Sequence, residues 1–225
     1  MDEKYKSFLI QQLEEELTNA SNINPGIIAA KIENIGFSCL ICGKCCRRAF
    51  GDNRVLLIPQ EIQVILDHTT LEAHEVATPA TSGESYNDLI DTDGRIHTFG
   101  WILPRKSNGD CNFIENAKTS NKCKIYDVRP MLCRTYPFYM KDMELHVSEC
   151  EGLGHKILPE ESLKIALDVV NRYITEIEDT IALYKKFEGF VSGPENIKTT
   201  SDHTDKNDRV IHIVHDSKGT HEITR

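Results

Sequence analysis

The chain has 225 residues, 40% hydrophobic and 27% charged, which is enough apolar material for a core and unlike a disordered polymer. Its net charge of −9 excludes the domain-wide basic footprint of a nucleic-acid binder, and no run of 18 apolar residues is present to cross a membrane. Residues 1–6 lack the basic start and apolar run of an export signal, so a cytoplasmic protein is expected.

Residues 3–18 repeat Tyr5, Phe8, Leu9, Leu13 and Leu17 at helical spacing, which predicts an amphipathic helix. Asn24-Pro25-Gly26 reads as a second helix start, with Asn24 as cap. Ile27, Ile28, Ile32 and Ile35 supply its apolar face and Gly36 its end. A Cys/Gly/basic loop follows over 39–48. Residues 55–58 predict a short strand, and Pro59 opens a helix carrying Ile62, Val64, Ile65 and Leu66. Residues 68–94 read as a polar loop, 96–103 as a strand and 107–110 as a turn. A polar loop over 115–122 precedes Cys123. A short helix is expected over 126–136, stopped by Pro137, and then a β-hairpin over 137–149. Pro159 opens the longest helix, roughly 159–188, with Leu163, Ala166, Leu167, Val170, Ile174, Ile177, Ile181 and Tyr184 on its apolar face. A polar linker over 195–208 leads to a tail hairpin formed by 210–215 and 220–224.

All eight cysteines lie between Cys39 and Cys150. Clustered cysteines without an export signal point to metal rather than to a disulfide framework. The first group, Cys39, Cys42, Cys45 and Cys46, is spaced C-x2-C-x2-C-C, and Gly43 helps the backbone fold round a metal. Adjacent cysteines tend to point apart, which would send Cys45 and Cys46 to different centres. Cys111, Cys123, Cys133 and Cys150 complete the set, enough for two four-thiolate sites or for one cluster plus a smaller site. Lys44, Arg47, Arg48 and Arg54 flank the first group, and Lys122, Lys124, Arg129 and Arg134 the second; cations there would offset thiolate charge. Pro130 would start a helical turn with Cys133 near its N-terminus, where amides favour a thiolate. Tyr126, Tyr136 and Phe138 read as shielding residues, and Asp127 as a cap or a partner of Arg129.

All-sulfur ligation suits zinc or an iron–sulfur cluster and disfavours magnesium and calcium. The first three positions match the ferredoxin run C-x2-C-x2-C, whereas paired zinc-ribbon knuckles are missing, so an iron–sulfur cluster is favoured over zinc. His97, His146 and His155 lie near cysteines and are the histidine alternatives. His203, His212, His215 and His221 gather in the tail, where His212 and His215 fall on opposite strand faces and read as polar strand positions. Asp91, Asp93 and Gly94 read as a plain turn rather than a calcium loop. No nucleophile motif, phosphate loop or dinucleotide fingerprint is present.

The ordered segments C-L-I-C-G-K-C-C-R, V-L-L-I-P-Q-E-I, G-D-C-N-F-I and C-K-I-Y-D-V-R-P-M-L-C-R-T-Y-P-F resemble the YkgJ-type cysteine-cluster family, a zinc- or iron-chelating CxxCxxCC domain, over about residues 36–152. The resemblance implies a metal-chelating domain of a kind often called iron–sulfur oxidoreductase. A flagellin lysine methylase carries a related domain, although no separate methyl-donor-binding unit is recognisable in this chain.

The expectation is an α+β protein: N-terminal helices over 1–35, a metal-stapled cysteine-rich domain of short strands and helices over 36–152, a long helix packing on the core over 153–190, and a linker with a hairpin tail over 191–225. Its expected function is to bind an iron–sulfur cluster, of the four-iron kind, in a redox, electron-transfer or protein-modifying role with a protein partner. The alternatives are a structural zinc module for protein interaction and a protein methyltransferase-like enzyme.

Overall fold

The first corner of the fold is set by Asn24. Its side-chain oxygen accepts the Gly26 amide at 2.8 Å, Pro25 fills the first turn, and Gly36 closes the helix at φ 75°. The computed structural model, which describes residues 3–47, 49–51, 54–80, 89–116, 121–193 and 210–224, thus begins with α1 (Glu3–Ser21) and α2 (Pro25–Ile35). Both pack on the longest helix, α6 (Pro159–Lys186). Its buried stripe is Ser162, Ala166, Val169, Val170, Tyr173, Ile177 and Ile181, the spacing of three and four that keeps one side of a helix against its neighbours. Leu163 and Leu167, expected on that stripe, fall to one side of it and are 42% and 50% exposed. The Tyr173 hydroxyl donates to Glu16 and Lys185 pairs with Glu14 at 2.7 Å, fastening α1 to α6.

A hairpin closes this helical core. Strands β7 (Phe138–Lys141) and β8 (Glu144–Val147) are joined through Asp142 and Met143, both left-handed, as a two-residue hairpin turn requires. Phe138 and Met140 point from β7 into the core with Ile28, Ile32 and Ile157.

The second core lies on the cysteine side. It holds Leu57 of β1 (Leu56–Leu57), Ile65 of α3 (Pro59–His68), Val76 of α4 (Ala73–Val76), and Ala77, Leu103, Phe113 and Ile125. The expected polar loop over 68–94 therefore contains α4 and then β2 (Thr78–Pro79); its residues 81–88 lie outside the described residues. The strand expected over 96–103 is two strands. Gly100, at φ 82°, breaks it into β3 (Ile96–Phe99) and β4 (Trp101–Ile102), which join different sheets. β4 lies between β1 and β2, antiparallel to both. β3 pairs in parallel with β9 (Ile211–Asp216), which forms the tail hairpin with β10 (Gly219–Thr224).

Two further expectations change. The segment 115–122 belongs to an antiparallel pair, β5 (Ile114–Asn116) and β6 (Asn121–Cys123), with 117–120 outside the described residues. The helix expected over 126–136 splits into a 3-10 turn (Tyr126–Val128) and α5 (Met131–Thr135). Pro130 forces this break, because proline excludes the residue before it from helical geometry, and Arg129 is extended at ψ 141°. The linker expected over 195–208 lies outside the described residues. No helix among the described residues is long and apolar enough to cross a membrane.

Candidate metal centre

The first cysteine loop is wound tightly. Ile41, a β-branched residue, takes φ 52°, and Gly43 takes φ 68°. A Cβ on Gly43 would stand 2.5 Å from Arg47 Nη1 and 2.9 Å from Asn121 Cβ, so only glycine lets the loop lie against β6. Asn121 completes that seat by donating its Nδ2 to the Cys42 carbonyl at 2.7 Å. The loop then turns through a 3-10 helix (Lys44–Arg47) that carries Cys45 and Cys46.

The later cysteines are delivered one by one to this loop. The Cys111 amide donates to the Cys46 carbonyl at 2.8 Å. Cys123 ends β6 opposite Ile114, and Cys133 stands in α5. Cys150 comes alongside through the Ser38 amide, which donates to the Gly152 carbonyl at 2.9 Å, and through the Lys44–Glu151 ion pair. All eight cysteines are free thiols lining one cavity of about 300 Å³. Phe113, Ile125, Leu103 and Phe138 form its apolar walls. Among the described residues, no histidine, aspartate or glutamate lines it.

Cys45 Sγ and Cys46 Sγ are 3.9 Å apart, so the expectation that these neighbours face apart is not met. The reason is local. A 3-10 turn rotates successive side chains by about 120°, unlike the alternation of a strand. The proximity divides their acidity. The Cys46 thiol, donating to Cys45, holds Cys45 down at about 7, and Cys46 itself is pushed far up. Burial pushes up Cys111, Cys123 and Cys133. For Cys133 burial overrides the expected help from helix amides. Charge on Cys45, Cys111 and Cys123 bears on Cys133, whereas Cys150 feels Cys42, Cys45 and Cys39. The thiols thus form an inner group of Cys45, Cys46, Cys111, Cys123 and Cys133 and an outer group of Cys39, Cys42 and Cys150, with Cys45 bearing on both. Cys39 is exposed, between Ser38 and the outward-facing Leu40 and Ile41.

The cations only partly follow the sequence. Arg54 and Arg129 line the cavity, joined by Arg105 and by Arg172 of α6. Arg129 lies over the Tyr126 ring at 3.7 Å and donates to the Tyr126 carbonyl, rather than to Asp127, for which the sequence suggests either a cap or this pairing. Lys44 pairs with Glu151, Arg47 stands 3.8 Å from Asp110, and Lys124 stands 3.9 Å from Glu115. Arg48 lies outside the described residues. Arg172 reaches the site by donating to the Thr135 hydroxyl at 3.0 Å, a long-range placement that no spacing announces. Tyr136 and Tyr139 also line the cavity.

The candidate histidines stand elsewhere. His146 stacks on Tyr139, His155 is exposed, and His97 is buried beside His215. His212 and His215 are buried rather than ordinary polar strand positions. Asp91 closes a turn on the amides of Asp93 and Arg95, as the turn reading has it.

The donor set fits a soft, thiophilic metal. Burial and mutual repulsion oppose more than one thiolate in the inner group, and a bound cation is what resolves that conflict. Among the described residues, however, no three His, Cys, Asp or Glu side chains form a ready site for a single ion. Over residues 38–151 the chain matches the CxxCxxCC family, described as "Putative zinc- or iron-chelating domain". No curated protein and no solved structure matches it. The matched half of the chain contains every cysteine of the cavity, and the chain belongs to the CxxCxxCC family of zinc- or iron-chelating cysteine-rich domains.

Proposed function

We propose that the cavity binds an iron–sulfur cluster, of the four-iron kind, and that the domain acts in redox or electron-transfer chemistry or in modification of a protein partner. The observation that carries this reading is the ring of eight thiols, with no carboxylate or imidazole among the described residues, around a space of about 300 Å³. A single zinc needs four sulfurs about 2.3 Å from one point. A cluster is held by thiolates spread around a larger body, which suits donors set around a cavity. When bound, such a cluster supplies a one-electron centre.

The chain's own residues serve that role. Cys45, Cys46, Cys111, Cys123 and Cys133 are the candidate inner ligands. Phe113, Ile125 and Phe138 keep water from the inner wall, and the Arg54, Arg105, Arg129 and Arg172 guanidinium groups offset negative charge. The exposed Cys39–Ile41 lip, with half-exposed Tyr126, is the side on which a protein redox partner would approach. Eight free thiols also suit a reducing compartment, which supports a cytoplasmic location.

One distance favours the zinc reading. The 3.9 Å between Cys45 Sγ and Cys46 Sγ is close to the edge, about 3.8 Å, of a tetrahedron of sulfurs around zinc. Anaerobic purification separates the two. A brown protein bleached by dithionite is expected, and colourless protein with stoichiometric zinc overturns the cluster. Alanine substitution of Cys46, Cys111 and Cys133 in turn should abolish bound iron and sulfide, whereas Cys39→Ala should retain most of both. Equal loss from all four would show that inner and outer groups are one unit.

A further inference from the structure

Outside the cysteine cavity, a chain of polar side chains runs between β3 and the tail hairpin. His97 Nδ1 lies 2.8 Å from His215 Nε2, and His97 Nε2 lies 3.1 Å from Asp91 Oδ2. His215 Nδ1 lies 3.2 Å from the Thr220 hydroxyl. Asp91, His97 and His215 are 4%, 5% and 6% exposed, so water does not share these bonds. Arg95 holds Asp91 ionised, through Nε at 2.7 Å, and donates to Asp93 as well. With Asp91 an acceptor, the protons have one consistent order. Thr220 donates to His215 Nδ1, His215 Nε2–H donates to His97 Nδ1, and His97 Nε2–H donates to Asp91. Both imidazoles are then neutral.

Among the described residues, the other groups that bear on the pair are aromatic rings and charged side chains with interactions of their own. Phe190 stacks on His97 at 3.7 Å, and Phe99 and Phe187 flank His215 at 5.3 and 4.9 Å. Asp216 bears on His215 by charge, but its carboxylate accepts from Trp101 Nε1 at 2.7 Å and from the Lys218 and Gly219 amides. His221 Nε2 stands 3.0 Å from the same carboxylate, Asp179 bonds to Ser217 and interacts by charge with Asp216 and Lys218, and Glu222 acts on Arg95. Lys6 of α1 is turned to the Phe187 carbonyl.

This network accepts one added proton by reversing its bonds, with the positive charge opposite Asp91. It does not accept two, because two imidazolium donors would then face each other across 2.8 Å. Released from β3, the His215 ring is free of that constraint. We propose that the β9–β10 hairpin is a proton-operated latch: acidification releases it from β3, uncovering that strand's edge and freeing Trp101, which begins the stretch leading through Leu103 and Arg105 into the cysteine cavity wall.

The direction of the effect follows from linkage. Burial, with the charge of His97, pushes His215 down to about 4 from the ordinary 6.5. The released state therefore binds more protons between those values. Docking is at full strength above about 6.5 and weakens by up to tenfold per pH unit as pH falls towards 4, roughly 300-fold in all for one proton.

Trp101 is the sole tryptophan and sits on the hairpin, so its fluorescence in the full chain reads the latch. Titration from pH 8 to 4 should red-shift the emission with a midpoint between 6.5 and 4, while helix ellipticity at 222 nm holds. His215→Gln should abolish that transition. Thr220→Val keeps both histidines but leaves the buried His215 Nδ1 without its partner, which weakens docking at every pH and should move the midpoint upward. The proposal is overturned if the emission shifts only together with ellipticity, if it does not shift above pH 4, or if wild type and Thr220→Val share one midpoint.

Discussion

The helical core and the cysteine core close in different ways. In the first, Ile28, Ile32, Ala166, Val169, Val170 and Ile177 meet Phe138 and Met140, apolar against apolar. In the second, Leu57, Ile65, Val76, Phe113 and Ile125 pack against Cys111, Cys123 and Cys133, and the thiols face a cavity rather than a partner element. One core is complete with chain alone. The other leaves its sulfurs facing an open space. Phe138 belongs to both, as a member of the helical core and a wall of the cavity, so the two share a partition rather than a mechanism.

Metal withdrawal is the strongest way to break this distinction. With a chelator under reducing, anaerobic conditions, amide exchange around Leu57, Phe113 and Ile125 should accelerate by orders of magnitude. Amides between Ala166 and Ile181 should stay protected. Simultaneous loss of protection in both regions would mean that the helical core does not stand without the metal.

The two regions also differ in what their sequence discloses. Helix starts are written locally, and Asn24-Pro25, Pro59 and Pro159 each open a helix where expected. The cysteines are legible as a set because their spacing and side-chain chemistry are independent of fold. Their arrangement is not. Cys45 and Cys46 come together because a 3-10 turn replaces an extended loop, and that turn has no periodic signature. Arg172 enters the cavity from a helix whose pattern speaks only of its buried stripe. The pairing of β3 with β9 joins residues more than 100 apart, so neither strand's sequence announces the other. His212 and His215 differ from the polar strand positions that their sequence suggests for the same reason: burial comes from a partner strand supplied elsewhere.

A cavity in the helical core is the next largest perturbation. Ile32 is fully buried among Ile28, Val169 and Phe138. Ile32→Ala should cost about 3 kcal/mol, within the usual range for removing a buried aliphatic side chain. Thermal unfolding would show the lowered midpoint, and metal content per folded chain should match wild type. A parallel loss of metal would show that strain crosses the Phe138 partition.

The smallest effect on stability should have a larger one on the site. Gly43→Ala adds one carbon, and left-handed backbone alone costs a non-glycine residue roughly 1–2 kcal/mol. The new Cβ would also crowd Arg47 at 2.5 Å, Ile114 at 2.8 Å and Asn121 at 2.9 Å. Relief requires the loop to lift from β6, which would break the Asn121 bond to the Cys42 carbonyl and displace Cys42, Cys45 and Cys46 together. Metal occupancy should therefore fall several-fold while the helix ellipticity and the exchange protection of 166–181 stay as in wild type. This is the inverse of the Ile32→Ala pattern. If Gly43→Ala instead retains full metal, the close seat of the first loop on β6 is not what positions Cys45 and Cys46.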